Sequence, residues 1–108
     1  MAAGKLQDGQ VRIDWDPQGR GTIFEGEVSE QGAALLYPTN APSGGARWEW
    51  NNDEQRYERT KVNADGTYWR NWMAFDTATG TCGSGGTKFA ADGTVIRVGA
   101  TNSGTYQQ

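Results

Sequence analysis

Four of the five tryptophans of this 108-residue chain, Trp48, Trp50, Trp69 and Trp72, fall between Arg47 and Phe75. Tyr57 and Tyr68 lie in the same stretch, and Asn51, Asn52, Asp53, Arg56, Arg59 and Asn71 are interleaved with the rings. Flat rings beside amides and charges are the materials of a binding face. A sugar stacks its C–H face on a ring while Asn, Asp and Arg bond its hydroxyls. The same set suits single-stranded nucleic acid, whose bases stack on rings and whose phosphates meet Arg.

Other chemistries are short of parts. The chain has no histidine and a single cysteine, Cys82. Ser-His-Asp and Cys-His sites are excluded, and a zinc site lacks its usual ligands. Cys82 sits in Thr81-Cys82-Gly83-Ser84-Gly85-Gly86 with no base at hand to generate a thiolate. The glycines there lack the Gly-Lys-Ser/Thr ending of a phosphate loop. Asp14, Asp16, Gln18 and Glu25 approach the spacing of a calcium loop. Gln18 replaces the usual Asp or Asn, Pro17 stiffens the segment and the flanks read as strand, so a polar hairpin turn is expected instead. A catalytic carboxylate pair depends on a separation in space that spacing along the chain does not give. No catalytic residue, metal or cofactor is assigned, and a non-catalytic binder is expected over an enzyme.

The elements that must carry these residues read as strands. Only three leucines are present, against 16 glycines, which leaves little for a helical bundle. Twelve aromatic residues (five Trp, four Tyr, three Phe) supply the core that leucine does not. Period-two alternation or strand composition predicts strands at 11–15, 22–28, 33–37, 47–50, 57–62, 67–75, 88–89, 95–98 and 105–106. The segment 76–87 reads as a Gly/Thr/Ser loop. Lys61-Val62-Asn63-Ala64-Asp65-Gly66-Thr67 is echoed by Lys88-Phe89-Ala90-Ala91-Asp92-Gly93-Thr94, and Asp-Gly is a hairpin signal at both. The expectation is one all-β, mostly antiparallel domain over residues 1–108, a β-sandwich or small β-barrel of six to nine short strands. The glycine and β-branched spacing of Gly9-Gln10-Val11-Arg12-Ile13 and Gly19-Arg20-Gly21-Thr22-Ile23 resembles the start of a cold-shock domain. The likeness spans about 15 residues; Arg20 and Thr22 stand where that family has base-stacking aromatics, so it is read as a shared hairpin pattern.

Alternation places Tyr68, Arg70 and Trp72 on one face of a strand and Trp69, Asn71, Met73 and Phe75 on the other. Asn51, Asn52 and Asp53 open the turn before Tyr57 and are expected at a neighbouring strand end. The expected function is carbohydrate recognition, lectin-like and metal-independent, with Trp72 stacking on a glycan or other small polar ligand. Tyr68, Arg70, Asn51, Asn52 and Asp53 complete that site. One alternative is a structural or assembly subunit that meets other chains, including copies of itself, through the aromatic face. Another is a small barrel that holds single-stranded nucleic acid or an apolar small molecule. The net charge of −3 weighs against non-specific nucleic-acid binding. No signal peptide or membrane span is visible, which leaves an intracellular origin as the default expectation.

Overall fold

The computed structural model describes residues 4–16, 21–29, 32–40 and 44–108. Nine strands follow one another: β1 (Gly9–Trp15), β2 (Thr22–Val28), β3 (Ala33–Pro38), β4 (Ala46–Asn51), β5 (Arg56–Val62), β6 (Tyr68–Asp76), β7 (Thr81–Phe89), β8 (Val95–Val98) and β9 (Asn102–Gln107). All pairings are antiparallel. β1 to β7 form a meander, and β9 returns to lie between β7 and β1. That insertion closes an eight-stranded barrel, with β8 as an extra strand beside the end of β7. The strand expectations hold, and of sandwich and barrel the chain forms the barrel.

Closure sorts side chains by parity. In β1, Val11, Ile13 and Trp15 are buried while Gln10, Arg12 and Asp14 are exposed. Register carries the same inner face around the wall: Ile13 opposes Phe24, Gly26 opposes Leu36, Ala34 opposes Trp48, and Trp50 opposes Tyr57. The related segments 61–67 and 88–94 are both hairpin turns. In each the glycine has positive φ, +88° at Gly66 and +91° at Gly93. The preceding aspartate, Asp65 or Asp92, accepts a bond from the backbone N–H of the following threonine.

One expectation is corrected. Most of 76–87 is not loop: after a short turn at 77–80 the chain enters β7, which pairs along its whole length with β6. Glycine has poor strand propensity, but here its missing side chain is the point. A Cβ on Gly85 would lie 2.8 Å from the Trp72 ring, and one on Gly86 would lie 2.5 Å from Nδ2 of Asn71. The bulky strand β6 takes the space that β7 leaves empty.

One end of the barrel has a floor. The segment ahead of β1 crosses it, with the Gly4 amide donating to the Phe75 carbonyl at 2.9 Å. The Leu6 amide donates to the Tyr57 hydroxyl at 3.0 Å. Leu6 is 3% exposed and Tyr57 0%. Around them Tyr57 meets Trp50 and Phe75 edge-on, and Phe75 meets Tyr106 in the same way. Rings thus do the filling that a leucine core does elsewhere. Replacing Tyr57 by Phe keeps the ring but leaves the buried Leu6 amide without a partner. The variant is expected to lose about 1–3 kcal/mol of stability, read from the midpoint of urea denaturation at unchanged slope.

Candidate functional site

The barrel is packed at the floor and open toward the other end. There the inner faces enclose a cavity of about 730 Å³, the size of a site for a small molecule. Trp15, Phe24, Leu36, Trp48, Trp69 and Met73 give it apolar walls. Arg59, Lys61, Asn71, Ser84, Arg97 and Asn102 add polar groups. No aspartate or glutamate lines it among the described residues.

The positions of these groups follow from register. On β5, the parity that buries Tyr57 also puts half-buried Arg59 and, exposed at the mouth, Lys61 on the inner face. Arg59 opposes Asn71, and Lys61 opposes Trp69. Trp69 in turn opposes Lys88, and Lys88 opposes Arg97 on β8. A row therefore runs across four strands near the mouth: Lys61, Trp69, Lys88, Arg97. One step deeper, the Arg59 guanidinium lies 5.2 Å from the centroid of the Trp48 ring, a cation–π contact. Its Nε donates to Oδ1 of Asn71 at 3.4 Å. Burial lowers the Arg59 pKa from its usual value, the mark of a partly desolvated cation. Among the described residues no carboxylate forms an ion pair with it.

The outer face holds the residues singled out by sequence. Tyr68, Arg70 and Trp72 do share it, since Arg70 opposes Thr60 and Trp72 opposes Glu58 on β5. Their environments differ. Glu58 gathers three of the neighbours: it accepts from Asn51 Nδ2 at 2.8 Å and Arg56 Nε at 2.7 Å, and Arg70 lies 3.6 Å away. Burial pushes the Glu58 pKa up. The hydrogen bonds from Asn51 and Arg56 and the charges of Arg56 and Arg70 outweigh that and hold the carboxyl below its usual value. Trp72 borders the cavity wall, but its ring lies against Gly85 and 5.4 Å from the Arg56 guanidinium. Asn51, Asn52, Glu58 and Arg70 line a shallow outer groove of about 550 Å³.

Tyr68 turns away from this cluster. It stacks on Phe89, its cross-strand partner, with centroids 5.1 Å apart and planes at 17°. Val62 and Val95 extend that row on either side, 70% and 56% exposed. Asn52 and Asp53 belong to the turn between β4 and β5. The Asn51 side chain accepts the amides of Asp53 and Glu54 there, and Asn52 bonds Gln55. The structure thus brings Asn51, Arg70 and Trp72 around Glu58 and Arg56, and leaves Tyr68 in an apolar strip and Asn52 and Asp53 in a turn.

Of the calcium-like pattern, Pro17, Gln18 and Gly19 lie outside the described residues, as does Arg20. Glu25 pairs with Arg12 across β1 and β2. Among the described residues no group of three or more Asp, Glu or Cys is placed to hold a metal ion. Cys82 faces the packed interior at 8% exposure, and burial together with the Asp14 charge pushes its thiol up to about 11.

Sequence reasoning counted Arg59 among the polar neighbours of the rings without assigning it to the site, and passed over Lys61, Lys88 and Arg97, because charges on strands are ordinarily read as outward. The signal available was parity: Tyr57, Arg59 and Lys61 alternate as one face, and a buried ring at the first position turns the other two inward.

Two outcomes follow. At pH 8 Cys82 is expected to alkylate at least about a hundredfold more slowly in the native protein than in urea, since the thiolate is depleted and covered. Glu58→Gln is expected to cost about 1 kcal/mol at pH 7. A carboxyl with a lowered folded pKa stabilises above its unfolded value and loses that contribution as pH falls through the folded one. The gap between variant and parent should therefore narrow in urea titrations below about pH 4.

Compared with known proteins, the chain matches no family model, no curated protein and no solved structure.

Proposed function

We propose that this barrel is a binding domain that encloses one small ligand in its lumen. The observation that carries the reading is the cavity itself: about 730 Å³ and walled by tryptophan, in a barrel whose other end is packed around the Leu6–Tyr57 bond. A chain with few leucines has used Trp15, Trp48 and Trp69 to line an unfilled space rather than to fill it. A concave, largely apolar pocket with a few convergent polar groups is the usual form of a small-molecule site. Rings there bind flat or apolar bodies, and Asn71, Asn102 and Arg59 supply the directional bonds that orient them.

A second reading keeps a saccharide on the outer face. It is favoured by the convergence of Asn51, Arg56 and Arg70 on Glu58 beside Trp72, which offers both donors and acceptors to hydroxyls. Arg56 already stands over the Trp72 ring, so stacking there requires that side chain to move. In the lumen Arg59 covers Trp48 in the same way, while Trp15 and Trp69 line the cavity with no cation over either ring among the described residues.

Titration of an anilinonaphthalene fluorophore, followed by quenching of tryptophan emission, tests the first reading. A saturable one-to-one site is expected. Trp48→Ala should weaken it by about tenfold or more, the loss of one buried ring contact. Absence of a saturable site, or a site indifferent to Trp48→Ala, overturns the enclosure reading. A saccharide panel run alongside decides the second: glycan binding abolished by Trp72→Ala and retained in Trp48→Ala moves the function to the outer face.

A further inference from the structure

We propose that the ligand of this lumen is an anion: a small molecule with a flat, apolar body and a carboxylate, sulfonate or phosphate group held at the mouth. The inference rests on the reading of the lumen as a ligand cavity and goes on to the charge of what fills it.

Its basis is the distribution of charge. The chain as a whole is acidic, with 13 Asp and Glu against 10 Lys and Arg. Three of those cations, Arg59, Lys61 and Arg97, nevertheless line the cavity, Lys61 and Arg97 exposed at its mouth, and Lys88 lies between them in register on β7. Glu49 and Glu58 oppose each other on the outer face of the same wall. Lys88 and Arg97 are direct cross-strand partners, and like charges in that position destabilise a sheet. None of the four forms an ion pair among the described residues. The carboxylate that senses Lys88 is Asp65, at an exposed hairpin tip.

Arg59 shows where an anion would be received. Its hydrogen bond among the described residues uses Nε alone, which leaves both terminal nitrogens for a planar, bidentate acceptor. Trp48 lies under that guanidinium and Trp69 separates Lys61 from Lys88. A ring placed on Trp69 would therefore point an attached anionic group at the mouth, where Lys61 and Arg97 line the cavity. The apolar body would extend toward Met73 and Phe24, away from the mouth.

Two probes that differ only in charge test this. 8-Anilinonaphthalene-1-sulfonate carries the sulfonate, and N-phenyl-1-naphthylamine has the same rings without it. The sulfonate is expected to bind about tenfold or more tightly, with an advantage that shrinks in high salt. 1-Naphthoate and 1-naphthyl phosphate should displace it, their order identifying the preferred head group, and 1-naphthol should not. In K61Q/K88Q/R97Q, and separately in Arg59→Met, the ratio of the two affinities should collapse toward one. Arg47→Gln, an exposed cation on the outer face, should leave the ratio as it is. The triple variant relieves a like-charge contact, so its melting temperature without ligand is expected to rise by about 1–4 °C. That rise separates loss of binding from loss of fold. Equal affinity for the two probes overturns the anion inference while the enclosed site stands. A sulfonate preference that survives both lumen variants overturns it as well. Failure of both probes to bind removes the enclosed site itself.

Discussion

A buried amide must find a partner in the protein, and Leu6 finds the hydroxyl of Tyr57. The bond is small in energy and large in consequence. It draws the segment ahead of β1 across one end of the barrel, where Gly4 and Leu6 become a floor. Without that floor the interior would be a tube open to water at both ends. With it, Trp50, Phe75 and Tyr106 pack into a closed aromatic layer around Tyr57. The space on the far side becomes a cavity with a bottom. The shape of the cavity therefore depends on one tyrosine whose ring belongs to the core and whose oxygen accepts from the N-terminal segment.

Much of the strand layout was legible because alternation is local. Val11, Ile13 and Trp15 declare β1 by themselves, and the paired Asp65-Gly66 and Asp92-Gly93 turns declare two hairpins. The parity of Tyr68, Arg70 and Trp72 was legible for the same reason. What escaped was set by partners distant in sequence. β7 reads as loop because Gly83, Gly85 and Gly86 carry no strand signal of their own; Trp72 and Asn71 across the ladder make a strand of them. Tyr68 leaves the polar cluster because that same β7 presents Phe89 to it. Closure into a barrel depends on β9 meeting both β1 and β7, and nothing in the pattern of Asn102–Gln107 announces two neighbours. The inner face was passed over as a candidate site because its cations look, one at a time, like ordinary solvated strand residues.

Inside and outside divide the charge in an unusual way. Outside, Arg12 with Glu25, Arg47 with Glu49, and Arg56 and Arg70 with Glu58 neutralise one another in pairs and a small network. Inside, Arg59 is satisfied by an amide oxygen and the face of a ring, which suffice for its geometry and not for its charge. A wall that balances its charge on one side and leaves it unbalanced on the other accepts a cost in stability. Such costs persist where the surrounding structure is rigid enough to hold them. Here the β6–β7 ladder, with side chains of one strand laid over the glycines of the next, provides that rigidity.

The position of β9 also governs how the chain reaches this state. Strands β1 to β7 can pair in order, each with the one just before it, as a growing curved sheet. That sheet ends in two edges, β1 and β7; the β7–β8 hairpin covers only Thr87–Phe89, and the rest of both edges waits for β9. Both are satisfied in a single event, when Asn102–Gln107 zips to Arg12–Trp15 on one side and Thr81–Ser84 on the other. The join spans most of the chain, so its loop-closure entropy falls due late and all together. Acquisition of the barrel accordingly belongs to the slow kinetic class of non-local β topologies. Until the seam closes, two open ladders invite the same strand from another molecule, and strand exchange competes with folding whenever the chain is concentrated.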